Sequence, residues 1–99
     1  MLRHIVAWNF KDGFTAEENQ ANAIKVKAEL EELKQLIPEI VDINVDINLL
    51  DSSNRVIMLD SYFENEKTLA AYKVHPEHVR VGDFIGTVLQ DTTAIDFYK

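Results

Sequence analysis

Cysteine is absent from the chain, which removes disulfide frameworks, thiolate nucleophiles and cysteine metal sites together. Positive charge is scarce. Ten lysines and arginines stand against seventeen aspartates and glutamates, a net charge of −7, and nucleic acids and anionic membranes both call for clustered cations. No phosphate-binding glycine loop, GxSxG elbow or dinucleotide fingerprint occurs, and there is no internal repeat, low-complexity segment or linker. The apolar opening, Met1 to Trp8, is broken by Asn9 and Lys11, too soon for a signal peptide or a membrane span. These absences lead us to expect one cytoplasmic domain over residues 1–99, with no nucleic-acid or membrane partner, no cofactor and no metal.

What is present reads as alternating elements. Leu2 to Lys11 has strand alternation, with Leu2, His4, Val6, Trp8 and Phe10 on the better core face. Asp12-Gly13 ends it in a turn. Thr15-Ala16-Glu17-Glu18 has capping-box spacing, and Ala23, Val26, Leu30, Leu33 and Ile37 follow at helical steps until Pro38. Val41 to Leu50 alternates strictly, so it reads as a strand with one wet face. Its aspartates suit that solvated face better than a metal cluster, which needs ligands converging from several directions. Asp51-Ser52-Ser53-Asn54 reads as a hairpin turn. Arg55 to Phe63 is apolar on both faces, the mark of a central strand. Asn65 is a candidate N-cap for a helix through Tyr72. His75 precedes a proline and Pro76 suits the first position of a new helix, whose inward stripe would hold His78, Val81, Ile85, Val88 and Leu89. Gly82 and Gly86 on this helix would permit close packing. A last strand runs from Thr92 to Tyr98.

The order is the ferredoxin-like split βαββαβ pattern of an α+β protein, with its second helix divided. Right-handed crossovers put the helices on one face of a four-stranded antiparallel sheet, with the first and third strands central. The other face would then expose Ile5, Ala7, Val56, Met58 and Tyr62, a patch calling for a second copy of the chain packed sheet to sheet.

The three histidines and Tyr72 form the one cluster suited to chemistry. His78, near the start of a helix, is expected to stay neutral because amide dipoles there disfavour an imidazolium. A neutral imidazole serves as a general base, or accepts a hydrogen bond from a phenol such as Tyr72. His4 enters from the first strand, and Val6, Trp8 and Leu59 would wall the same space with apolar surface. His75 either joins this site or caps the helix. A zinc site of His4, His75 and His78 has no supporting carboxylate or thiol spacing.

Arg3-His4-Ile5-Val6, Phe10-Lys11-Asp12-Gly13, Ile37-Pro38-Glu39-Ile40 and above all Tyr72-Lys73-Val74-His75-Pro76-Glu77-His78-Val79 resemble the stress-responsive A/B barrel (Dabb) domain family across the whole chain. The resemblance implies a dimeric α/β barrel of two ferredoxin-like protomers. Most members have no assigned activity. One plant member cyclises a polyketide by aldol condensation with a tyrosine and a histidine of this motif, and Tyr72 and His78 hold the matching positions. Ile57 stands where that enzyme has a further histidine, Trp8 replaces a smaller aliphatic and Ala23 replaces a bulky aromatic, which implies a differently shaped pocket. Three readings follow: a homodimer binding a small apolar ligand near His4, Val6, Trp8, Leu59, Tyr72, His75 and His78; a lyase or cyclase using Tyr72 and His78 on a carbonyl substrate; and a non-catalytic structural or stress-protective dimer.

Overall fold

A computed structural model describes all residues, 1–99. Its elements are β1 (Leu2–Phe10), α1 (Ala16–Leu36), β2 (Asp42–Asp46), β3 (Ile57–Phe63), α2 (Glu66–Val74), α3 (Pro76–Val88) and β4 (Leu89–Tyr98). The four strands form one antiparallel sheet in the order β2-β3-β1-β4, so the first and third strands are central. No helix is long and apolar enough to cross a membrane.

Local chemistry accounts for the element boundaries. Gly13 takes a positive φ of 100° at the turn after β1, a backbone region that glycine enters without a Cβ clash. At the start of α1, the Glu18 amide donates to Thr15 Oγ1 (3.1 Å) and the Thr15 amide donates to Glu18 Oε1 (2.9 Å). Together they satisfy two of the amides that a helix start leaves open. Asn65 and Thr68 repeat the device at α2. His75, extended at φ −64°, ψ 135°, is both the end of α2 and the N-cap of α3, with Pro76 opening the new helix.

The core lies between the helices and one sheet face. Leu2, Val6 and Trp8 of β1 and Ile57, Leu59 and Phe63 of β3 pack there with Ala23, Val26, Leu30 and Leu33 of α1 and Val81, Ile85 and Val88 of α3. The opposite face carries no helix. There Ile5 pairs with Ile95, Ala7 with Met58, and Arg3 with Tyr62 and Phe97; Ile95 is 55% exposed and Phe97 36%.

The structure corrects three details of the sequence reading. The second strand is shorter than Val41 to Leu50: β2 spans Asp42–Asp46, and its pairing with β3 ends at Asp46 opposite Met58. The two strands therefore diverge into a broad loop in place of a tight hairpin. Val56, expected on the helix-free face, is half-buried and packs against the core. Gly82 and Gly86 do not serve close packing, since a Cβ at either would meet no atom within 4 Å.

Candidate functional site

A cavity of about 450 Å³ lies between the sheet and α3, within the range that small-molecule sites occupy. Val6, Trp8, Leu59, Leu30, Ile85 and Leu89 give it apolar walls, and His4, Tyr72, Lys73, His78 and Thr92 form its polar part. Six of the residues singled out in the sequence are thus brought together: His4, Val6, Trp8, Leu59, Tyr72 and His78. His75 lies outside the lining. Its Nδ1 accepts a hydrogen bond from the Glu77 amide (3.1 Å), so its imidazole caps α3.

A bulge in β4 shapes one wall. Opposite Trp8 the register slips, with Asn9 facing Gln90 and Ala7 facing Thr93. Two residues, Asp91 and Thr92, therefore stand against one, and Asp91 adopts φ 58°. Such a bulge shifts strand parity, and Leu89, Thr92 and Ala94 all reach the cavity. Asp91 holds the bend by accepting from Asn9 Nδ2 through Oδ2 (3.1 Å) and from Arg55 Nε through its carbonyl (3.0 Å).

Hydrogen bonds fix the histidine tautomers. A carbonyl or carboxylate oxygen only accepts, so the ring nitrogen facing it carries the proton. His78 Nδ1–H donates to the Lys73 carbonyl (3.0 Å) and His4 Nδ1–H donates to the Asp96 carboxylate. Each imidazole keeps Nε2 uncommitted. Burial lowers the pKa of His78 below 6.5, with the hydrogen bond to the Lys73 carbonyl opposing it and the neighbouring His4 and Lys73 side chains adding to the effect. Burial is thus the largest cause favouring the neutral form expected from the sequence.

Tyr72 packs its ring against His78 (centroids 4.4 Å apart), Phe63 (4.9 Å) and His4 (6.2 Å). It is fully buried, and burial pushes its phenol pKa well above 10, so the hydroxyl keeps its proton. Its Oη has no hydrogen-bond partner. Such a group costs about 1–3 kcal/mol, and buried polar atoms left this way are uncommon.

Asp96 is the member of this cluster that the sequence reading missed. It sits directly across from His4 in the β1–β4 register, on the helix-facing parity of β4 with Ala94 and Tyr98. The available signal was a carboxylate at the strand position that shares a face with Ala94 and lies opposite His4.

A four-stranded sheet with helices on one face, enclosing an apolar cavity with a Tyr–His corner, defines a ferredoxin-like α+β domain. The chain belongs to the stress responsive A/B barrel domain (Dabb) family, whose sequence pattern matches residues 2–99. Among solved structures it is similar to a dimeric protein of unknown function and ferredoxin-like fold from Bacteroides fragilis. The two are 28% identical with a TM-score of 0.91, over 99% of this chain and 95% of that one. A dimeric ferredoxin-like protein of unknown function from Thermobifida fusca is 25% identical, with a TM-score of 0.82 over 99% and 90% of the two chains. A hydroxynitrile lyase from Passiflora edulis, 13% identical over 97% and 90% with a TM-score of 0.79, shares the fold alone. No curated protein sequence matches the chain.

Proposed function

We propose that the protein is a homodimer, formed through the helix-free sheet face, that binds one small, largely apolar organic molecule in each cavity. The observation that carries the binding reading is the buried Tyr72 hydroxyl, which lacks a hydrogen-bond partner on a residue that lines a cavity with mostly apolar walls. A bound oxygen, such as a carbonyl, is the acceptor it lacks. Because Oη is shielded, the covering side chains must give way first, and affinity is reduced by that cost. The exposed Ile95 and Phe97 and the dimeric relatives support the pairing of two copies.

Thermal unfolding in the presence of small ketones, aldehydes and phenols tests the reading. A binder at a hundred times its dissociation constant stabilises the fold by about 2.7 kcal/mol, and Gly82→Leu, which fills the cavity, should abolish the shift. A broad panel that moves neither protein would favour the non-catalytic structural dimer.

The Tyr72–His78 contact supports an enzymatic reading alongside binding. His78 Nε2 would take a proton from the carbon next to a bound carbonyl, and the Tyr72 hydroxyl would donate a hydrogen bond to the enolate oxygen as charge develops there. The proton then returns to carbon from the imidazolium. Deuterium exchange into a bound ketone reads this step. Wild type should accelerate the exchange, and both Tyr72→Phe and His78→Gln should lose it while remaining folded. Equal exchange in all three proteins would exclude the step.

A further inference from the structure

The cavity lining holds one permanent cation, Lys73, and no carboxylate, in a chain whose net charge is −7. Acidic groups outnumber basic ones overall, so a cavity with only the minority charge is selective for its occupant. Lys73 joins none of the protein's ion pairs. The nearby carboxylates lie elsewhere: Asp96 is engaged by His4, and with Glu66 it borders a separate hollow of about 320 Å³ on the other flank of Lys73. Tyr72, in the same lining as this cation, offers a proton from Oη and lacks an acceptor.

The opposite end is shaped for an apolar chain. His78, Gly82 and Gly86 recur every four residues, so they share one face of α3, and all three line the cavity. At both glycines the space a side chain would occupy is empty. From His78 to Gly86 the helix rises about 12 Å, and Trp8, Ile85 and Leu89 keep that length apolar.

We infer that the ligand is an amphipathic carboxylate, its anionic head on Lys73 with one oxygen accepting from Tyr72, and its apolar tail lying along Gly82 and Gly86. This rests on the binding reading above and adds head-group charge and tail length to it. Lys73 selects the head by charge, and the two glycines set how long a tail fits.

Trp8 is the one tryptophan of the chain and it faces the cavity, so its fluorescence reports occupancy. Straight-chain carboxylates from hexanoate to tetradecanoate, and the corresponding primary alcohols, would be titrated against wild type, Lys73→Met, Lys73→Arg and Gly86→Leu. Lys73 is exposed and its contact to His78 runs through the backbone carbonyl, so its side chain is replaceable without disturbing the fold. The inference predicts carboxylates bound more tightly than alcohols, with affinity rising and then falling along the series. Lys73→Met should cost the carboxylates about tenfold and the alcohols little, and Lys73→Arg should restore the preference. Gly86→Leu should move the optimum to shorter chains. Binding that ignores head-group charge and keeps its optimum in Gly86→Leu would overturn the inference while leaving the binding reading intact. No response of Trp8 to any carboxylate or alcohol would overturn both.

Discussion

Replacing Tyr72 with phenylalanine should make the unliganded protein more stable. The ring is fully buried and packs on Phe63 and His78, contacts that phenylalanine retains. Only Oη is lost, and it has no hydrogen-bond partner to lose. Relief of an unsatisfied buried hydroxyl is worth about 1–3 kcal/mol, and the vacated oxygen volume gives part of this back through lost dispersion contacts. The net expectation is about 1 kcal/mol of stabilisation, or roughly 4–8 °C in Tm for a domain of this size. Urea unfolding of wild type and Tyr72→Phe checks it, at matched protomer concentration because a dimer's apparent stability depends on concentration. The same variant should bind a carbonyl ligand roughly threefold to tenfold more weakly, the worth of one hydrogen bond. Gained stability and lost affinity together would mark Tyr72 as a group held ready for a ligand. A variant less stable than wild type would refute the reasoning, since it would mean that Oη has a partner in the native protein.

Other outcomes follow from the same geometry. Burial holds the His78 pKa below 6.5, so the unfolded chain takes up the proton first as pH falls. The stability this residue contributes is full above pH 6.5 and is lost as pH falls through the lower folded pKa. The difference in unfolding free energy between wild type and His78→Gln should therefore change between pH 7.5 and pH 5, and a constant difference would contradict the assignment. Ile95→Glu places a carboxylate on the helix-free face in both copies, and should raise the dimer dissociation constant about a hundredfold or more. Sedimentation would show monomers of the variant, and a monomeric wild type would remove the dimer proposal. At the bulge, Asp91→Val should cost about 1–2 kcal/mol because a β-branched residue is forced to positive φ, whereas Asp91→Gly should cost little.

The parts of the fold that depend on near neighbours in sequence were legible. The alternation of β1, the Thr15–Glu18 capping box and the Pro76 joint each involve residues a few positions apart, and each appears where its spacing puts it. The sheet order followed from connection rules, with the doubly apolar third strand in the middle. What escaped depends on long-range pairing. The His4–Asp96 contact joins residues 92 positions apart and requires the β1–β4 register, itself offset by the bulge at Asp91. Glycine at 82 and 86 reads the same in sequence whether a neighbour presses against it or empty space does. His75 was open to either role, and the Glu77 amide directly beyond Pro76 takes its Nδ1 as an acceptor.

A crystal structure with the tightest binder from the titrations would show whether the space between Trp8 and His78 is a binding site. One molecule per protomer should lie in the cavity, its tail along Gly82 and Gly86 and an oxygen accepting from Tyr72 Oη. A collapsed cavity with the ligand elsewhere on the surface would contradict the binding reading.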